Sequence, residues 1–429
     1  MADSPERTPH PFAFRDYRYY WAARLMTTIG QLSMVIVIGW QVYDIARETM
    51  SLKAAALQLG WIGIVQFVPL ALLTLVTGWT ADRVDRRWIA RAAVLLEGAC
   101  ALVLGWMTYE GTTTLPALFV VAALLGVARA FAGPALQALA PNLVPKSVLP
   151  TAIALSAISW QVGSIGGPAL GGWLYAADAW LPYAVSAGLF AGALLCLLML
   201  RPLPATRALA GASPWRQMID GLHYVRRNRL VLGAISLDLF AVLLGGATAM
   251  LPVFARDVLH VGAEGLGTLR AAPAVGAALI ALWFAFRPLR SNVGVKMLLA
   301  VIVFGAATAI FGVSRSMPLS LLCLAVLGAA DMVSVYVRQS LIQLYTPDEM
   351  RGRVGAVSSL FVSGSNELGE AESGLLAAAI GPVAAVVGGG VGAILVTLAW
   401  WRWFPELPRA RTFEPPETLE DMPVEEKAT

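Results

Sequence analysis

The chain has 429 residues, of which 58% are hydrophobic and only 14% are charged. A soluble globular domain carries about 25% charged residues, so this composition excludes an ordinary soluble protein. The three cysteines and three histidines fall at unrelated spacings, and we therefore expect no disulfide framework, no metal site and no cofactor.

Long apolar stretches recur along the whole chain, each near the ~20 residues that a helix needs to cross a bilayer. They predict an all-α integral membrane protein with twelve transmembrane helices in two pseudo-symmetric six-helix halves around a central cavity. The predicted spans lie near residues 20–46, 55–81, 88–109, 115–138, 150–175, 180–200, 229–255, 264–286, 293–314, 317–343, 351–380 and 381–404.

The loops between these spans divide the chain into five segments. Residues 1–19 form a polar N-terminal segment, 20–200 the first half, and 201–228 a linker with an amphipathic helix. Residues 229–404 form the second half, and the Pro- and Glu-rich tail 405–429 is expected to be disordered. Lys and Arg concentrate in the loops on the side of both termini, which predicts cytoplasmic termini and explains the net charge of +4 without nucleic acid.

The fifth span has a small-residue face. Gly163, Gly167 and Gly171 recur every four residues and make a smooth surface on which another helix can pack closely. Pro168 lacks an N–H and allows the helix to bend. Gly172 continues the motif.

The two halves match without gaps at a fixed offset of 202 residues, which pairs span 4 with span 10 and span 5 with span 11. At this offset Gly167 matches Gly369, while Arg129 matches Asp331. A repeated six-helix unit is typical of transporters with a central site between two halves.

Three motifs now resemble those of the major facilitator superfamily. The segment from Gly78 to Arg87 resembles its loop motif, although Asp85 stands where Gly is usual and Thr80 where an apolar residue is usual. Arg129-Ala-Phe-Ala-Gly133 resembles a motif of proton-coupled members, and the Gly–Pro motif of span 5 resembles that of antiporters.

The segment 347–359 is similar to the drug/proton antiporter-3 group, which holds enterobactin-exporter-like and macrolide-efflux-like proteins. The resemblance implies a secondary active transporter of the bacterial inner membrane. It would export a small amphipathic molecule, a siderophore-like metabolite or a drug, by proton antiport and alternating access. A proton-coupled uptake symporter or uniporter on the same fold is the alternative. We expect a monomer in the lipid bilayer and no enzyme, because no catalytic motif is present.

The resemblance also implies a conformational latch at the loop after span 2. Opposite charges where two helix ends meet can hold one conformation and separate in the other. The alternative is that these residues only set the topology. The latch would comprise Gly78, Asp82, Arg83, Arg86 and Arg87.

Charged residues deep in the spans need partners or water, and they mark transport pathways. Three acids of span 11 and one of span 7 are the candidates for proton coupling, since crowded acids cannot all be ionised cheaply; they are Glu370, Glu367, Glu372 and Asp238. The candidates for the substrate cavity are Arg129, Asp331, Arg270 and Glu97. The alternative for Arg129 and Asp331 is a buried structural pair between helices, and the alternative for the acids of span 11 is solvation beside a wet cavity or bonding to the helix. Glu97 is expected to be structural or paired with Arg129. Arg24 and Arg338 lie near the helix ends and are expected to extend to the interface.

Overall fold

A computed structural model describes residues 10–139, 142–145, 148–202, 214–287, 289 and 291–413, with the backbone alone at 74–83, 137, 138, 150, 214–217, 348, 349, 363 and 367. Within these ranges the chain is built of helices, and twelve of them are membrane helices. They are α1 (Arg15–Thr49), α2 (Leu52–Arg83), α3 (Arg86–Tyr109), α4 (Leu115–Leu139), α5 (Leu149–Ala177), α6 (Leu181–Leu198), α7 (Arg229–Val258), α8 (Gly262–Phe286), α9 (Val293–Val313), α10 (Met317–Leu344), α11 (Asp348–Ile380) and α12 (Pro382–Trp403).

Ten of these helices, counted over the described residues, are long and apolar enough by themselves to cross a membrane. The other two are α5 and α11, the pair that the repeat relates. Glycine and serine lower the hydropathy of α5, and α11 carries five acids, three of them within residues 367–372. The polar and small faces of both helices lie against other helices rather than lipid, which a bundle permits and an isolated span does not.

The two halves pack in the same order, as the repeat predicts. In the first half α1 packs against α5 and α6, α2 against α4, and α3 against α4 and α6. In the second half α7 packs against α11 and α12, α8 against α10, and α9 against α10 and α12. Contacts between the halves run mainly through α2 with α11 and α5 with α8, which are equivalent pairs. The prediction of a two-half, twelve-helix fold is confirmed.

A linker helix, Pro214–Arg227, connects the halves and lies against α11. The end of the bundle that carries this helix is called the linker side below, and the opposite end is the far side. Tyr224 of the linker helix donates a hydrogen bond to the carbonyl of Tyr345 (2.8 Å), and Arg353 of α11 pairs with Asp220 (3.3 Å). The linker helix is therefore fixed to the second half.

The small-residue face of α5 lies against α1. A Cβ atom added at Gly163 would lie 2.5 Å from the Cγ2 of Thr28, and one at Gly167 would lie 2.9 Å from the carbonyl oxygen of Ile29. Such distances leave no room for a side chain, so the two backbones are in near contact. The helix continues without a break through Pro168.

The interrupted helix in the described part of the bundle is α7. Its first helical stretch ends at Leu244, a 3₁₀ turn follows at Ala247–Met250, and a π-helical turn closes it at Phe254–Val258. Such irregular backbone is tolerated at membrane depth where protein or a cavity surrounds it. A Cβ at Gly246 would lie 2.3 Å from the Oγ of Ser373 on α11, so the interruption is enclosed on that side by protein.

Glycine pairs mark the two places where the halves cross. A Cβ added at Gly172 of α5 would lie 2.8 Å from the Cα of Gly267 on α8, and one at Gly374 of α11 would lie 2.5 Å from the Cα of Gly60 on α2. Gly172 and Gly374 are related by the 202-residue repeat. Both crossings lie within a few turns of the far side, because all four glycines are near helix ends on that side.

Residues 405–413 depart from the sequence prediction of a disordered tail. Glu406–Arg409 forms a helical turn, Leu407 is fully buried, and the N–H of Gly294 donates to the carbonyl of Ala410 (3.0 Å). Arg229 also pairs with Glu406 (2.7 Å). The apolar positions within this charged stretch supply enough burial to order it, so the prediction is wrong for 405–413, while 414–429 lie outside the described residues.

We expect the substitution Gly172→Val to destabilise the far-side crossing, because its Cβ would meet the carbonyl oxygen of Ala263 at 2.5 Å. Overpacking of this kind costs about 1–3 kcal/mol. Gly166→Val on the same helix is the matched control, since a Cβ there meets nothing within 4 Å. Thermal unfolding in detergent measures both. Equal loss of stability in the two variants would contradict the close crossing.

Candidate functional site

A cavity of about 510 Å³ lies between the two halves at mid-depth. This volume is within the range of about 300–1,000 Å³ that small-molecule sites occupy. Its wall mixes apolar side chains with amides and charges drawn from both halves. The polar residues on it are Gln31, Gln66, Arg129, Gln161, Ser164, Thr248, Arg270, Asp331, Asn366 and Glu370.

In the first half, two charged side chains are hydrogen-bonded to glutamine side chains. Arg129 of α4 donates to the side-chain oxygen of Gln66 on α2 (3.2 Å), and Gln31 of α1 donates to Glu97 on α3. Glu97 has no exposed surface and lies behind Gln31 rather than on the cavity wall. The described hydrogen-bond partner of Glu97 is thus Gln31, where the sequence allowed a structural role or a pair with Arg129.

The second half places an ion pair on the opposite wall. Arg270 of α8 lies 3.9 Å from the carboxylate of Glu370 on α11 and donates to the carbonyl of Thr248 (3.0 Å) in the interrupted part of α7. An interrupted helix leaves carbonyl groups without helical partners, and these serve as ligands for cations and donors. One guanidinium therefore connects α7, α8 and α11 at the cavity.

A second ion pair lies behind the wall of the central cavity, between α7 and α10. Arg338 donates to Asp238, and the two side chains are 3% and 4% exposed. The sequence placed Arg338 near the interface and Asp238 among the proton-coupling candidates. The expectation for Arg338 is wrong, because its guanidinium turns inward to a buried carboxylate instead of extending toward water. Spacing along one helix gave no sign of this partner, which comes from another helix.

The three acids predicted for proton coupling in span 11, Glu367, Glu370 and Glu372, do not form one site. Glu370 lines the central cavity, whereas Glu372 is half-buried and is absent from the described lining. The side chain of Glu367 lies outside the described residues. Asp331 of α10, predicted for the cavity, does line it.

Part of the predicted latch is described. Of Gly78, Asp82 and Arg83 only the backbone is described, whereas the side chains of Arg86 and Arg87 are described as well. Arg87 pairs with Asp85 (2.6 Å), whose carboxylate also caps α3 by accepting from the N–H of Arg87 (2.9 Å). The hydrogen bond from the Arg87 guanidinium holds the pKa of Asp85 below its usual value. Arg87 further donates to the carbonyl of Leu200 (3.2 Å), so its described bonds stay within the first half.

Two crossed ion pairs close the far side, and the sequence did not predict them. Arg47 of α1 pairs with Asp257 of α7 (3.2 Å), while Arg256 of α7 pairs with Asp44 of α1. Tyr43 also donates to Asp257 (2.6 Å). A signal was present, because Arg47 and Arg256 are among the few basic residues assigned to that side, and each has an acid within three positions.

The described polar contacts between the halves lie at mid-depth or on the far side. At mid-depth Gln161 of α5 donates to the carbonyl of Ala274 on α8 (2.7 Å). On the far side Lys53 of α2 donates to the carbonyl of Ala379 on α11 (2.9 Å). Together with the crossed ion pairs and the glycine crossings, they seal the cavity from the far side.

The chain is similar to known proteins over almost its whole length. The family model for transmembrane secretion effectors, of the major facilitator type, matches residues 7–427. Enterobactin exporter EntS of Shigella boydii serotype 18 is 27% identical over 413 residues, covering 94% of this chain and 95% of that protein. The same exporter of Escherichia coli O81 is 26% identical over 413 residues, with the same coverage.

Solved structures share the fold. A bacterial homologue of the human lysosomal transporter Spinster, in an inward-facing and unoccupied conformation, superposes with a TM-score of 0.72 at 15% identity, covering 94% of this chain and 99% of that one. The xylose transporter XylE of E. coli, in an inward-open conformation, gives a TM-score of 0.66 at 15% identity, covering 95% and 98%.

We expect the crossed ion pairs to hold the far side closed. Asp44→Arg places like charges opposite Arg256 and should open it, whereas Asp44→Arg combined with Arg256→Asp restores an ion pair and closes it again. A partly exposed pair contributes about 0.2–1 kcal/mol, so the open population should rise about two- to fivefold or more in the single variant. The readout is labelling of Val35→Cys, a cavity position, by an impermeant maleimide from the far side of a cysteine-free background. Equal labelling of the single and double variants would contradict the closure.

Proposed function

The chain belongs to the transmembrane secretion effector family of the major facilitator superfamily, and on this premise we propose that it exports small amphipathic molecules by proton antiport and alternating access. The observation that carries the proposal is the central cavity, which is lined by charges from both halves and sealed on the far side. Opening of one side and closure of the other, around a fixed site, is how two-half transporters work.

The cargo class follows from the donors on the two walls. Arg129 and Arg270 lie on opposite halves, and guanidinium groups bind paired oxygen atoms with two parallel hydrogen bonds. The amide of Asn366 and the indole of Trp160 add polar and aromatic surface to the same cavity. A molecule with oxygen-rich aromatic groups, such as the siderophore named for the relatives, suits this wall better than a purely apolar drug.

The coupling proton requires an acid that the cavity reaches. Two acids of the second half meet this condition, Glu370 on α11 and Asp331 on α10. Asp238 is already neutralised by Arg338, and Glu372 lies away from the described lining. Alternating access then exposes the acid to water on one side at a time, so that a proton can enter from one side and leave to the other.

The orientation follows from the distribution of basic residues. Arg86, Arg87, Arg226 and Arg227 lie on the linker side, while the far side carries Arg residues held in ion pairs. We assign the linker side to the cytoplasm and place the protein in the bacterial inner membrane with both termini inside. In this orientation the cavity, closed on the far side, corresponds to an inward-facing state of a transporter that functions as a monomer.

Everted inner-membrane vesicles test the proposal. Enterobactin, the probe compound, should partly collapse an imposed pH gradient in vesicles that contain the protein, because each molecule that enters the vesicle exchanges for protons. Vesicles without the protein are the control. Transport that proceeds equally without a gradient and never perturbs it would overturn proton antiport, and accumulation by intact cells would favour the uptake alternative.

Neutral substitutions of the two cavity arginines should weaken binding of the probe. Loss of a hydrogen bond to a charged group costs about 1.5–3 kcal/mol, so Arg129→Ala or Arg270→Ala should raise KM for enterobactin by about 10- to 100-fold. Arg315→Ala removes an exposed charge from the far-side end of α9 and is the matched control. Unchanged KM in both cavity variants would exclude these arginines from the binding site.

A further inference from the structure

A second, much smaller cavity lies beside the central one, between α7, α9 and α10. Its volume is about 10 Å³, close to the space that a single water molecule needs. Asp331 lines both cavities, and Asp238 and Ser334 line the small one. Asp331 therefore stands at the boundary between the cargo cavity and a buried polar chamber.

One face of α10 builds this chamber. Asp331, Ser334 and Arg338 are spaced by three and four residues and so lie on one side of the helix, running from mid-depth toward the linker side. Asp238 of α7 faces them and pairs with Arg338. At the equivalent positions of the first half, 202 residues earlier, Ser334 and Arg338 are replaced by Ala132 and Leu136. The fold itself thus does not require the chamber.

Carboxylates outnumber guanidinium groups by one around this chamber. Two carboxylates, Asp238 and Asp331, face a single guanidinium, that of Arg338, and Arg338 is joined to Asp238. In the described part of the chain no hydrogen bond or ion pair joins Asp331 to another residue. A carboxylate without a counter-charge is costly at membrane depth, so this site favours one additional positive charge, which a proton can supply.

Ser334 supplies an independent sign of a missing partner. Its side chain is 3% exposed, lines the small cavity, and has no hydrogen-bond partner among the described residues. A hydroxyl can donate to a carboxylate or accept from a protonated carboxyl, and so can stabilise both forms of a neighbouring acid.

We propose that Asp331 is the group that carries the coupling proton, with Ser334 and the Asp238–Arg338 pair as the residues that position and balance it. The inference rests on the proposed proton antiport. The proton is taken from water by the Asp331 carboxylate, forming an O–H bond, and is returned to water when the site opens to the linker side. A cargo hydroxyl that donates to Asp331 binds the carboxylate form more tightly than the protonated form, so cargo and proton compete for the site, as antiport demands.

The other charged groups around Asp331 do not replace it. From α8 Arg270 faces Glu370 of α11, and from α4 Arg129 reaches the cavity beside Gln66. From α9 the charged residue is Lys296, near the linker-side end of that helix. Glu370 already has a cation at 3.9 Å, whereas the cation nearest the chamber is committed to Asp238.

Infrared difference spectroscopy of the purified full-length protein tests the proposal directly. A protonated carboxyl group gives a C=O band that a carboxylate lacks, and the difference spectrum between acidic and neutral wild-type protein should contain one such component that belongs to Asp331, among those of the other acids. Asp331→Asn should lose it, and Glu370→Gln is the matched control that should keep it. Persistence of that component in Asp331→Asn, or its disappearance in Glu370→Gln, overturns the assignment.

Two further variants protect the test against misfolding. Asp331→Glu should keep a protonated carboxyl band, and Ser334→Ala should keep the band at a shifted frequency, because the hydrogen bond that the Ser334 hydroxyl can form with the protonated carboxyl is then impossible. Unshifted frequency in Ser334→Ala contradicts the role of the chamber.

Transport separates this inference from the proposed function. In proteoliposomes, Asp331→Asn should retain enterobactin counterflow at a raised KM, because the amide oxygen still accepts a hydrogen bond but carries no charge, and it should lose enterobactin-driven proton movement. Proton movement that survives in Asp331→Asn overturns the inference alone. Absence of proton movement in the wild type overturns antiport itself.

Discussion

An ionised side chain between membrane helices must have a counter-charge, a hydrogen-bond partner or water, and this constraint organises the interior of the protein. Charges that face a neighbouring helix of the same half are matched there, as Asp238 is by Arg338. Charges that face the other half stand on a cavity, where water or cargo can reach them. In the first half glutamine amides bond the charged side chains, Arg129 on the wall and Glu97 behind it, whereas in the second half Arg270 and Glu370 stand opposite each other on the wall. The cavity is therefore asymmetric in charge although the fold around it is nearly symmetric.

The same principle explains how the halves can separate. Between them the structure uses glycine crossings and partly exposed ion pairs, and ion pairs of this kind are broken at small cost. The two helix pairs that join the halves, α2 with α11 and α5 with α8, pack about as extensively as α5 does on α1 within the first half. Small residues keep these inter-half contacts smooth, so a rocking motion need not disengage large side chains. An interdigitated interface of large side chains would resist that motion.

Much of this arrangement follows from the sequence. Hydropathy, the 202-residue offset and the glycine periodicity predict the two halves and the close-packed face of α5, since each can be read from spacing along the chain. The sequence could not assign partners across helices. It therefore misplaced Arg338, did not identify Gln31 as the partner of Glu97 and missed the crossed ion pairs, because these depend on which helix faces which. The interruption of α7 also escaped prediction, because a Gly–Gly step in an apolar run is compatible with an unbroken helix.

The crossed ion pairs also bear on how the chain is made. Their partners are separated by 210 and 212 residues, so α1 is synthesised and inserted long before α7 exists. During that interval Asp44 and Arg47, three positions apart on one helix, can neutralise each other. The first half can thus leave the insertion machinery with these two charges compensated. Closure of the far side is then a late event in biogenesis, and a truncated chain that ends before α7 has no means of achieving it.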